Sequence, residues 1–173
     1  QIAGPSLFAG SANSQFGFVL LNSLGRLWAA EEMATHTTLV FASRPLNGPN
    51  RFTSLLSIVR SMGMINPIAI VDGNMHFEQL HSAPEIFGEA TQCKAQDGFY
   101  DWLDRRWPPR KITPGRKIYL TRSAMGARAG RFVCEKELET LLIKEGYEII
   151  IPEALSLQDQ LEVLQTAEKL IFS

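Results

Sequence analysis

The chain has 173 residues, 45% of them hydrophobic, 20% charged and 9% aromatic, with a formal net charge of −1. This is a globular mixture, and it excludes long disorder and fibrous repeats. No apolar run approaches the roughly 20 residues needed to span a bilayer, and Gln1 to Ala9 lacks the basic start and apolar core of a signal peptide.

Along the chain, Val19, Leu20, Leu24, Leu27 and Trp28 recur at helical spacing and predict one helix from Phe16 to Met33. Thr37 to Ala42 reads as a short buried strand, and Pro45 to Pro49 as a turn-rich loop. Phe52, Leu55, Leu56, Val59 and Met62 predict a helix that Gly63 stops. Pro67 to Asp72 is a second strand. Residues 74–96 are irregular, with a short strand near Met75–Leu80. Phe99, Tyr100, Leu103 and Trp107 mark a helix ended by Pro108 and Pro109.

The second half alternates more clearly. Lys117–Thr121, Tyr147–Ile151 and Lys169–Phe172 read as strands, and Glu135–Glu145 and Ser156–Thr166 as helices. Ser156 and Asp159 have the spacing of a capping box. Strands joined by helices must run parallel. The expectation is an α/β protein with a lobe at residues 1–107, a linker at 108–116 and a second lobe at 117–173. The chain stops just after its last strand, where open α/β sheets carry ligand-binding loops. That points to a second lobe truncated at its C-terminus.

The charge is uneven. Residues 105–131 carry nine Lys or Arg and no acid, whereas residues 132–173 carry three Lys or Arg and nine acids. A basic island in an acidic chain fits a polyanionic ligand, such as a diphosphate or a nucleic acid, or a solvated basic loop. The stretch has few interleaved aromatics, only Trp107 and Tyr119, which argues against nucleic acid.

Within the island, Arg122, Ser123, Gly126, Arg128, Gly130 and Arg131 follow a strand and precede a helix. Such a position offers backbone N–H groups and the positive end of a helix dipole. Arginine forks grip phosphate oxygens in pairs. No GxxxxGK[ST] and no GxGxxG occurs. No Asp-x-Asp is present to hold a divalent metal, His76 and His81 have poor metal spacing, and a lone histidine such as His36 is more often filler than catalytic. Cys93 and Cys134 form no CxxC and fit a reducing, cytoplasmic compartment.

Arg116 to Ser123, then Ala127-Arg128 and Arg131 to Glu135, resemble the hallmark stretch of glycosyltransferase family 61. Gly146-Tyr147-Glu148, Ile151-Pro152-Glu153 and Leu155-Ser156-Leu157 continue the resemblance. Cys134 departs from it, since Asn is usual before the Glu. Gln15 to Trp28 resembles the family's segment N-x-x-H-x-x-x-(D/E) followed by L-x-R-L. Leu24, Arg26 and Leu27 match, but Gln15 replaces Asn, Phe18 replaces His and Asn22 replaces the acid. These positions share one helix face, which is left with no titratable group.

The resemblance implies two Rossmann-like lobes in a GT-B-like arrangement. The implied activity is inverting and metal-independent, with no cofactor. It moves a sugar from a nucleotide-sugar donor to a hydroxyl acceptor, in the manner of the capsular-polysaccharide enzymes. Arg122, Ser123, Arg128 and Arg131 would hold the donor phosphates, and Gln15, Phe18 and Asn22 would line the acceptor side. The substituted face leaves a second reading open, a catalytically silent relative that binds a nucleotide-sugar or glycan.

Overall fold

The structure, a computed structural model, describes residues 1–12, 16–43, 52–125 and 133–173. These fall into two compact units, Gln1–Pro108 and Pro109–Ser173. Each is α/β with a parallel sheet.

The N-terminal unit orders its strands β3-β2-β1-β4. They are β1 (Ile2–Ala12), β2 (Thr38–Ser43), β3 (Ile68–Val71) and β4 (Phe77–Ser82). Leu39, Val40 and Phe41 are consecutive and all buried, so β2 is covered on both faces. Val19, Leu27, Leu55, Ile58 and Val59 supply the helical side of this core.

β1 is a strand that the sequence conceals. Gly4, Pro5 and Gly10 interrupt it, and such residues ordinarily bar an interior strand. They sit at irregularities of the ladder: the pairing shifts between Ile2 and Pro5 against β4, and between Phe8 and Gly10 against β2. Gly10 has φ +111°, and a Cβ there would lie 2.1 Å from the carbonyl oxygen of Asn22.

The helix expected over Phe16–Met33 is two pieces. α1 (Phe16–Asn22) ends, and a 3-10 segment runs Leu24–Glu32. The break falls at Ser23, whose hydroxyl donates to the carbonyl of Ser11 at 2.8 Å. Beyond it, Gly25 packs so tightly that a Cβ would lie 1.9 Å from the Phe87 carbonyl oxygen. Tertiary contacts here override helical periodicity. α2 (Thr53–Ser61) and α3 (Phe99–Arg106) match the expected positions within a residue or two. The inward face of α3 differs from the expected one: Phe99 and Trp102 are buried, while Tyr100 is 67% exposed.

The C-terminal unit orders its strands β6-β5-β7. They are β5 (Lys117–Leu120), β6 (Tyr147–Ile150) and β7 (Lys169–Phe172), joined by α4 (Glu135–Lys144) and α5 (Leu157–Thr166). Ile118 and Tyr119 of the central strand are fully buried. Ser156 caps α5 by accepting the Asp159 N–H at 3.2 Å, and its own hydroxyl donates to the Asp159 carboxylate at 2.6 Å. The chain passes from β5 to β6 on one side, then returns past β5 to place β7 on the other. The C-terminal ends of β5 and β7 are therefore neighbours at the point where the strand order reverses. In open parallel sheets that reversal leaves a crevice at the strand ends.

Candidate functional site

The C-terminal ends of β5 and β7 bring Tyr119, Thr121 and Ser173 together with Glu135. Residues 122–125 form a tight turn directly after β5, closed by the Met125 N–H donating to the Arg122 carbonyl at 2.9 Å. Arg122 and Ser123 open this turn, and the Arg122 Nε–H contacts the Met125 sulfur at 3.4 Å.

Beneath the turn lies Glu135, in the first turn of α4 and only 3% exposed. One of its oxygens, Oε1, accepts the Tyr119 hydroxyl at 2.9 Å, the Arg122 backbone N–H at 2.8 Å and the Ser173 hydroxyl at 2.6 Å. Thr121 Oγ1 lies 3.0 Å from the same oxygen and 2.5 Å from Oε1 of Glu139, one helical turn further on. A hydroxyl has one proton, so Thr121 shares it between the two carboxylates. Burial alone would push the Glu135 carboxyl up. The hydrogen bonds from Ser173, the Arg122 N–H, Tyr119 and Thr121 outweigh that and hold its pKa at about 2. The group is an anion at neutral pH, and its ring of donors offsets the cost of burying it.

This arrangement changes how an anion can be met. The Arg122 N–H is committed to Glu135, and the Ser123 N–H donates to Thr121 Oγ1 at 3.0 Å. These two backbone donors at the strand end are already used. Arg128 and Arg131 lie outside the described residues.

The basic island is also dispersed. Arg105 and Arg106 both pair with Glu31, Arg110 pairs with Glu162, and Arg116 reaches both carboxylate oxygens of Glu148 at 3.2 Å. Lys117 donates to the Glu145 carbonyl and lies over the Tyr147 ring. Much of the excess charge is therefore answered within each unit. Burial works against ionisation of Glu31, but the hydrogen bonds from Arg105 and Arg106 prevail and lower its pKa.

In the N-terminal unit, α1 carries Phe18 and Asn22 beyond the C-terminal end of β1. Phe18 is 44% exposed, and the Asn22 amide donates to the Phe18 carbonyl at 3.1 Å. Gln15 lies outside the described residues. Among the described residues no cluster of three metal-ligating side chains occurs, and no helix is long and apolar enough to cross a membrane.

The sequence model of one family, glycosyltransferase 61, matches residues 16–173. The chain belongs to the glycosyltransferase 61 family. Membership makes it a glycosyltransferase, acting between a donor and an acceptor. No curated protein and no solved structure matches the chain. The glycosyltransferase 61 match takes in α1 of the first unit and everything from β5 to β7 in the second, so Phe18, Asn22, Arg122 and Ser123 all fall inside it. Gln15 precedes its first residue. Glu135 falls inside it too. The sequence showed it as the Glu that closes the hallmark stretch and as the acid that opens a helix, and neither signal assigned it a role.

Proposed function

We propose that this glycosyltransferase moves a sugar from a nucleotide-sugar donor to a hydroxyl of a surface polysaccharide, with inversion and without a metal. In this reading both units are Rossmann-like lobes of a GT-B type of enzyme. Arg122 and Ser123, with Arg128 and Arg131, hold the donor diphosphate. Gln15, Phe18 and Asn22 face the acceptor. The observation that carries the reading is the turn 122–125 at the reversal point of the β6-β5-β7 sheet, where parallel sheets take their ligands.

The chemistry is a single displacement. The acceptor oxygen forms a bond to the anomeric carbon while the bond from that carbon to the diphosphate oxygen breaks. Attack opposite the leaving group inverts the configuration, and the acceptor's hydroxyl proton passes to the departing diphosphate. Negative charge grows on the diphosphate, and a guanidinium fixed beside it lowers the barrier. The sequence has no Asp-x-Asp pair, so the reading gives this role to arginine. Two free cysteines, Cys93 and Cys134, support a reducing, cytoplasmic setting.

The test is sugar transfer by the protein with a panel of nucleotide-sugars and cell-envelope acceptors, in the natural form and as Arg122→Ala. Loss of one such contact is expected to lower turnover about a hundredfold, as for removal of one transition-state donor. Unchanged turnover would remove the assignment. Phe18 and Asn22 favour the second reading, a silent relative, because neither can accept a proton from an attacking hydroxyl. Donor binding with no transfer to any acceptor would select it.

A further inference from the structure

The buried carboxylate of Glu135 sits where three elements meet. Tyr119 and the Arg122 N–H come from the end of β5, Ser173 from the end of β7, and Glu135 itself from the start of α4. Their donors converge on one oxygen. An ionised acceptor holds such donors more strongly than a neutral one, and more directionally than apolar packing would. The carboxylate therefore sets the spacing between the two strand ends and the direction in which the 122–125 turn leaves β5.

Two features argue that this is more than a structural anchor. The bond to the Arg122 N–H fixes the backbone of the residue whose side chain meets the ligand. And a negative charge placed under a site for a diphosphate opposes binding by simple Coulomb repulsion. Binding there gains only if the geometry that the charge imposes outweighs the repulsion.

We infer that Glu135 is a positioning residue for the donor diphosphate, orienting Arg122 and Ser123 through the β5 and β7 strand ends without touching the ligand. The inference rests on the proposed diphosphate role of Arg122 and Ser123.

The two accounts of the charge predict opposite signs, which makes the test sharp. Inorganic diphosphate is titrated into the protein and followed by the backbone amide shifts of the folded species, a readout that a loss of stability does not move. Glu135→Gln keeps the side chain's shape and removes its charge. Repulsion alone predicts tighter binding, whereas positioning predicts binding about tenfold weaker, with the Arg122 amide resonance displaced even before diphosphate is added. Ser173→Ala removes one of the converging donors at a half-buried position and serves should Glu135→Gln fail to fold. It is expected to weaken binding about threefold. Equal or tighter binding by Glu135→Gln, or unchanged binding by Ser173→Ala, overturns the inference. If Arg122→Ala also binds as the natural protein does, the diphosphate reading falls with it. If Arg122→Ala alone weakens binding, only the positioning role falls.

Discussion

The Tyr119 hydroxyl donates to Glu135 Oε1 at 2.9 Å, and neither residue is more than 3% exposed. Burial raises the Tyr119 pKa, and the neighbouring carboxylate adds to the rise, although the Ser173 contact opposes it. Glu135 is displaced the other way, to about 2 from an ordinary 4.5. A depressed carboxyl stabilises the fold above its unfolded pKa, and that contribution disappears as pH falls through its folded pKa. A raised phenol stabilises below its unfolded pKa and ceases to do so as pH rises past it. The C-terminal unit should therefore lose stability between about pH 4.5 and 2, by about 3 kcal/mol, and again above about pH 10. Urea unfolding across pH, read from Tyr119 and Tyr147 in that unit, checks this. Glu135→Gln should flatten the acid limb while leaving the unit less stable at pH 7.

Gly25 offers a test in the other unit. Its missing side chain lets the Phe87 carbonyl approach, and the Ile86 N–H donates to the Gly25 carbonyl at 2.9 Å. A methyl group there meets backbone that cannot swing aside. Gly25→Ala should cost about 3 kcal/mol, seen as a lower urea midpoint with little change in slope. The same substitution at Gly73, where a Cβ meets nothing within 4 Å, should change stability by less than about 0.5 kcal/mol.

Legibility in the sequence followed local consistency. β5, β6, β7 and their two helices were plain because apolar runs, Gly146 and the Ser156 cap all point the same way. β1 was hidden because Gly4, Pro5 and Gly10 break its pattern, and only the neighbouring strands show that it is central. The helix from Phe16 kept its periodicity past Ser23, where the Ser11 carbonyl and Phe87 impose a different path. In the site, Arg122 and Ser123 were readable from charge and position. Glu135 was not, since its meaning depends on Tyr119, Thr121 and Ser173, residues 14 to 38 positions away that only folding brings together.

Two arginines of the basic island should behave unequally. Arg116 reaches both oxygens of Glu148 at 3.2 Å and also bonds the Thr166 hydroxyl, with its side chain largely covered. Arg110 meets Glu162 at 2.7 Å, but both partners are well exposed. Arg116→Lys loses the planar fork and should cost about 1 kcal/mol. Arg110→Ala should cost less than about 0.5 kcal/mol, and less still in high salt. Double-mutant cycles with Glu148 and Glu162, each run at two salt concentrations, measure both pairs.

The central claim is that the side chains after β5 hold the donor's diphosphate. Its most direct measurement is the dissociation constant of inorganic diphosphate for the natural protein, Arg122→Ala and Arg110→Ala, by calorimetry at constant ionic strength. The account predicts saturable binding, weakened between about tenfold and a hundredfold by Arg122→Ala and unaltered by Arg110→Ala. Equal affinity in Arg122→Ala and the natural protein would contradict it.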